Sequence, residues 1–126
     1  MRNNRPHKGL KVWQQSVDLV VNIYKATETF PRDQVYVLSA QMQRAAISVP
    51  SNIAEGMAKS GNKDRRRFLE IAQGSLSELD TQVEIALRLG FLVPLPLLKF
   101  VWERALVHVS NALIQVECKV NFWKRH

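Results

Sequence analysis

The sequence predicts an all-α protein folded as an antiparallel up-down-up-down four-helix bundle. Apolar residues recur with the 3-and-4 spacing of a helix in four separate segments. Strand signals are nearly absent, with no sustained period-2 alternation and no Asn-Gly or Asp-Gly hairpin. The breaks between segments are short, which makes antiparallel neighbours the simplest topology. At 126 residues, 46% hydrophobic and 23% charged, the chain reads as one globular domain spanning 1–126, with enough apolar residues for a core.

The first helix is expected over about 10–29, where Trp13, Val17, Val20, Tyr24 and Thr27 form one stripe and Pro31 follows as the stop. The second, about 35–58, carries Leu38, Met42, Ala45, Val49 and Ile53, and Pro50 inside it predicts a kink or break near Ser48. The third, about 63–89, carries Phe68, Ala72, Ser75, Leu79, Val83 and Ala86, and Gly90 supplies its C-terminal stop. The fourth, about 95–121, starts beside Pro94 and Pro96 and carries Leu98, Val101, Ala105, Val109, Ala112 and Val116. Further apolar residues lie off the first stripe (Val12, Leu19, Val21, Ile23) and off the fourth (Leu97, Trp102, Leu106, Leu113, Ile114). Helices apolar over so much of their circumference predict self-association.

Charge supplies the functional signal. The net charge is +7, from 18 Lys and Arg against 11 Asp and Glu. In an up-down-up-down bundle the N-terminus, the connection between helices 2 and 3 and the C-terminus share one end. Residues 1–11 (Arg2, Arg5, Lys8, Lys11) contribute +4, residues 56–67 (Lys59, Lys63, Arg65, Arg66, Arg67 against Asp64) another +4, and residues 119–126 (Lys119, Lys124, Arg125) +3, which leaves −4 for the rest. One strongly basic end is therefore expected, suited to phosphates. Its candidate nucleic-acid-binding residues are Lys8, Lys11, Lys59, Lys63, Arg65, Arg66, Lys119, Lys124 and Arg125. Four cations within the five residues 63–67 oppose the macrodipole at a helix start, which calls for a compensating reason. Of the nearby aromatics, Trp13 and Phe68 fall on core stripes, whereas Phe122 and Trp123 are placed to reach a ligand.

Catalytic and metal-site patterns are missing. His7, His108 and His126 have no second ligand at helical spacing, Cys118 is the only cysteine, and no Gly-rich phosphate loop occurs. Glu70, Glu78, Asp80 and Glu84 read as a solvated acidic face. No enzymatic activity, metal or cofactor is expected. The longest apolar run, Phe91 to Leu98, is eight residues with two prolines, too short to span a membrane, and residues 1–9 lack the apolar core of a secretory signal, so the expected location is cytoplasmic, without a membrane partner.

If helices 2 and 3 turn around residue 61, facing positions sum to about 122. Arg44 then faces Glu78, Glu55 faces Arg67, and Ser48 faces Gly74. Ala45, Ser48, Gly74 and Ser75 would permit close approach of the two backbones, with flanking ion pairs fixing register.

The blocks Ser48-Val49-Pro50-Ser51-Asn52-Ile53-Ala54-Glu55-Gly56 and Arg67-Phe68-Leu69-Glu70-Ile71-Ala72-Gln73-Gly74-Ser75-Leu76-Ser77-Glu78, with Leu10-Lys11-Val12-Trp13 and the stretch from Tyr36 to Ala46, resemble the bacterial four-helix-bundle family first named for open reading frames in intervening sequences of 23S ribosomal RNA genes. The likeness spans about residues 8 to 118. It implies a ring-shaped homopentamer, and its relatives include the accessory variability proteins of diversity-generating retroelements, which bind nucleic acid and a reverse transcriptase. Asn52, Glu55, Ser75 and Glu78 occupy signature positions, read here as helix-pairing elements. The tail Phe122 to His126 lies outside the pattern. The expected function is that of an oligomeric nucleic-acid-binding accessory protein, RNA favoured, with a reverse transcriptase as a candidate partner. The alternative is an assembly scaffold for a protein client.

Overall fold

A computed structural model describes residues 6–92 together with Val107, Asn111, Ile114 and Gln115, and among these every regular element is helical. A 3₁₀ turn at Pro6–Gly9 leads into α1 (Lys11–Thr27), and a second 3₁₀ turn at Arg32–Gln34 and a π-helical turn at Val35–Ser39 lead into α2 (Ala40–Ala58). Only residues 59–61 separate α2 from α3 (Asn62–Arg88). The four isolated positions beyond residue 92 are helical and exposed; the rest of the predicted fourth helix lies outside the described residues.

One core joins the three helices. From α2 come Met42, Ala45, Ala46, Val49 and Ile53, and from α3 come Leu69, Ala72, Leu76, Leu79, Val83 and Ala86. On α2 these follow the predicted stripe; on α3 Ala72, Leu79, Val83 and Ala86 do, whereas the predicted Phe68 and Ser75 are only half-buried and Leu69 and Leu76 take their places in the core. On α1 the buried face is Val12, Ser16, Leu19, Ile23 and Thr27, rotated by one residue from the predicted stripe. Trp13, Val17 and Val20 are half-buried and Tyr24 is exposed. The rotation is possible because the two polar residues on the buried face satisfy themselves: Ser16 Oγ donates to the Trp13 carbonyl (2.7 Å) and Thr27 Oγ1 to the Ile23 carbonyl (2.9 Å). Gln43 Nε2 then donates to Thr27 Oγ1 at 3.0 Å, tying α2 to α1. Much of the apolar width that suggested self-association through α1 is therefore spent inside the protomer, leaving Val21 and Tyr24 exposed on it.

Pro50 does not break α2, which continues to Ala58. A proline removes its own donor and crowds the carbonyl four residues back, and here the neighbouring turn is reinforced from a side chain: Asn52 Nδ2 donates to the Ser48 carbonyl (2.7 Å) and to Ser48 Oγ (2.9 Å). At its far end α3 stops as expected. Gly90 adopts φ +78°, its N–H donates to the Leu87 carbonyl (3.1 Å), and the Phe91 N–H reaches back to Ala86 (2.9 Å), the paired bonds of a Schellman cap. This returns Phe91 to the core, its ring centroid 5.7 Å from that of Phe30.

The α2–α3 interface corrects the predicted pairing. Ser48 Oγ meets Ser75 Oγ at 2.7 Å, one position along from the expected partner. Gly74, a residue earlier, is turned about 100° away and is exposed, with open space where a Cβ would sit, so it is not the point of close approach. That point is Gly56, where an added Cβ would lie 3.2 Å from Phe68 Cβ and 3.3 Å from the Arg65 carbonyl oxygen. The expected ion pairs are not formed either. Arg44 donates to Gln41 Oε1, Glu78 accepts from Gln82 Nε2 (3.2 Å), and Glu55 does not meet Arg67. Exposed long side chains reach a neighbour one turn along their own helix more cheaply than one across the interface. Accordingly, the ion pairs found between described residues run along α3, Arg66–Glu70 (3.6 Å) and Arg88–Glu84 (3.1 Å).

Candidate nucleic-acid interface

The start of α1 is anchored by apolar residues that leave its lysines outside. Leu10, Val12 and Trp13 join the core, the His7 ring stands edge-on to Trp13 (5.0 Å between centroids), and Gln14 Nε2 donates to the Lys8 carbonyl (2.8 Å). Lys8 and Lys11 remain exposed. The Pro6–Gly9 turn packs against α2, and α2 runs back antiparallel to α1, so its last turn arrives at this same end.

There the chain turns tightly. Lys59 ends α2 in an extended conformation, its N–H on the Gly56 carbonyl (3.2 Å), and α3 begins three residues later. Arg65 folds back from the first turn of α3 to donate from Nε to the Lys59 carbonyl (2.7 Å), capping the negative end of α2 with a cation. Arg66 is ion-paired to Glu70. Lys59 Nζ and Arg67 Cζ both sit over the Phe68 ring, 5.2 and 5.3 Å from its centroid.

The structure thus gathers Lys8, Lys11, Lys59, Lys63, Arg65 and Arg66 of the predicted binding residues at one end, joined by Arg67. Lys119, Lys124 and Arg125 lie outside the described residues, as do Arg2, Arg5, Phe122 and Trp123. The cations differ in duty. Among the described residues the ammonium groups of Lys8, Lys11 and Lys63 have no protein partner, whereas Arg65 also holds the turn together. Sequence reasoning placed Arg67 in an ion pair and missed both Phe68 as a seat for cations and Gly56 as the close contact. The register would have pointed to Gly56 had it been applied to the last turn of α2, where a sum near 122 sets Gly56 against the start of α3.

Of the predicted pairing residues, Ser48, Ser75 and Asn52 form a connected polar group, while Arg44, Glu55, Arg67, Gly74 and Glu78 do not join it. Glu70, Glu78, Asp80 and Glu84 are all exposed. Among the described residues, no cluster of His, Cys, Asp or Glu could hold a metal ion, and no helix is long and apolar enough to cross a membrane.

Residues 8–99 match the family described as 23S rRNA-intervening sequence protein. The chain belongs to this family. The match takes in both helix-pairing blocks and the Lys59–Arg67 turn. Among solved structures, the chain is similar to a protein of unknown function from the S23 ribosomal protein family of Bacteroides thetaiotaomicron, with a TM-score of 0.74 at 20% identity over 84% of this chain and 94% of that one. At that identity the likeness concerns the fold. No curated protein matches.

Proposed function

We propose that this member of the 23S rRNA-intervening sequence family is a non-enzymatic accessory protein that binds nucleic acid, RNA in preference to DNA, through phosphate contacts at its basic end. The observation that supports it is the convergence of exposed Lys8 and Lys11 from the start of α1 with Lys59, Lys63 and Arg67 around the α2–α3 turn. Such cations displace condensed counterions on meeting phosphates, which makes binding salt-dependent and largely independent of sequence. The family's tie to 23S rRNA favours RNA. In the full proposal each protomer is a four-helix bundle of a cytoplasmic ring-shaped homopentamer, so that five basic ends act together, Lys119, Lys124 and Arg125 extend the surface, and a reverse transcriptase is a candidate protein partner.

The test is the variant Lys8→Gln/Lys11→Gln/Lys63→Gln, which spares Arg65 and Arg66 because both make structural contacts. Folding is expected to survive. Affinity for a mixed-sequence single-stranded RNA should fall, and the slope of log affinity against log salt should become shallower by about 0.7 for each lost contact. Undiminished affinity and slope would reject the basic end as the site. A scaffold for a protein client would then lead, a reading favoured by the exposed Val35, Tyr36 and Val37 at the opposite end.

A further inference from the structure

We infer that Lys59 and Arg67 form a two-cation clamp for a single phosphodiester group, with Phe68 as its positioning residue. This rests on the nucleic-acid reading above and adds to it the pairing of Lys59 with Arg67 and the role of Phe68, which composition did not assign. Lys59 comes from the end of α2 and Arg67 from α3, yet both charges lie over one ring, at 5.2 and 5.3 Å from its centroid. They are thus no farther apart than about one Debye length, about 10 Å at 0.1 M salt. Like charges that close repel. No carboxylate among the described residues is ion-paired with either: Glu55 and Asp64 bond neither, and Glu70 pairs with Arg66. The positive end of the α3 dipole adds to the same potential, and the negative end of α2 at Lys59, already capped by Arg65, offsets part of it. The ring quadrupole offsets part of the repulsion and holds both long side chains in place. An anion completes the offset, and a phosphodiester brings one negative charge shared by two unbridged oxygens, one for each cation.

Phe68 is fixed for this duty. It is half-buried, and Gly56 opposes it so closely that even a methyl group there would crowd its Cβ. With two cations already over the ring, Phe68 acts through Lys59 and Arg67 and not as a stacking platform for bases.

A double-mutant cycle on the full chain tests the clamp, with single-stranded mixed-sequence RNA as the probe and thermal unfolding as the folding control. Phe68→Leu keeps an apolar side chain and removes the quadrupole, so affinity should fall about two- to fivefold, while Phe68→Tyr, which keeps the ring, should bind normally. Lys59→Gln/Arg67→Gln should make the salt slope shallower by about 0.7, the value for one shared phosphate, and adding Phe68→Leu to it should do nothing more. A full Phe68→Leu loss in that background means the ring touches bases and overturns the clamp, as does no loss in the wild-type background. If Phe68→Leu does not fold, the two cation variants decide: a shared phosphate makes the double variant lose less than the product of the single losses, and simple multiplication overturns the clamp. Undiminished affinity and salt slope in Lys8→Gln/Lys11→Gln/Lys63→Gln would instead reject the basic end as the site, and with it the reading on which the clamp rests.

Discussion

Where α2 turns into α3 the chain crosses in three residues, and charged groups hold the turn: Arg65 on the Lys59 carbonyl, Lys59 and Arg67 on Phe68. At the opposite end α1 reaches α2 through the longer segment 28–39, and closure is apolar, with Phe30 packed on Phe91 and the α3 cap folding Phe91 inward. The apolar end removes surface from water and so stabilises the fold directly. The basic end gathers like charges at a positive helix terminus and gains little by doing so. Residues that a fold does not need, or holds at some cost, are where a ligand is the natural explanation.

The largest expected effect comes from breaking the apolar end. Phe30 is only 6% exposed, and Phe30→Ala should destabilise the protein by about 3–5 kcal/mol in denaturant unfolding, through lost transfer energy and the cavity left against Phe91. Because the change is remote from the basic end, the salt slope of RNA binding should stay the same wherever the variant remains folded. A changed slope would mean that the two ends are not independent.

A pair of glycine substitutions sharpens the comparison at intermediate size. Gly56→Ala places a methyl 3.2 Å from Phe68 Cβ and 3.3 Å from a backbone oxygen that cannot swing away, so overpacking should outweigh the gain in helix propensity and cost about 1–2 kcal/mol. Gly74→Ala meets open space on an exposed helical face and should stabilise by about 0.5–1 kcal/mol. Thermal unfolding of both decides; equal signs would contradict the observed register.

How much of this was legible in the sequence depended on whether the answer was periodic. The core face of α2 was, because Met42, Ala45, Val49 and Ile53 form a single dominant stripe, and so was that of α3 at Ala72, Leu79, Val83 and Ala86, but Leu69 and Leu76 compete with Phe68 and Ser75 on the neighbouring stripe and win. On α1 two adjacent stripes compete. Both end at Thr27, but the one that wins contains Ser16, which counts as polar although its hydroxyl bonds its own backbone. Between α2 and α3 a one-residue error in register moved Gly74 into the interface, since neighbouring positions on a helix differ by about 100°, whereas Gly56 was missed because the pairing was not carried to the last turn of α2. At the basic end the number of cations was plain. Their division into exposed lysines, a turn-holding Arg65 and two ring-seated cations was not, because Lys59 and Phe68 are nine residues apart and meet only through the α2–α3 turn.

The smallest effect tests whether the basic end is held at a cost. Lys63 is the second residue of α3, exposed, with its ammonium unpaired among the described residues and with Lys59, Arg65, Arg66 and Arg67 in the same segment. A cation there faces both the positive helix terminus and like charges, whereas a carboxylate would be attracted by both. Lys63→Glu should therefore stabilise the fold by about 0.3–1 kcal/mol at low ionic strength. The gain should shrink in about 0.5 M salt, where the Debye length is only a few ångströms. RNA affinity should move the other way, falling as a phosphate contact is replaced by repulsion. Stability and binding measured on one variant thus have opposite expected signs. If Lys63→Glu destabilised the protein, or left RNA binding untouched, the contrast between a stabilising apolar end and a ligand-seeking basic end would not hold.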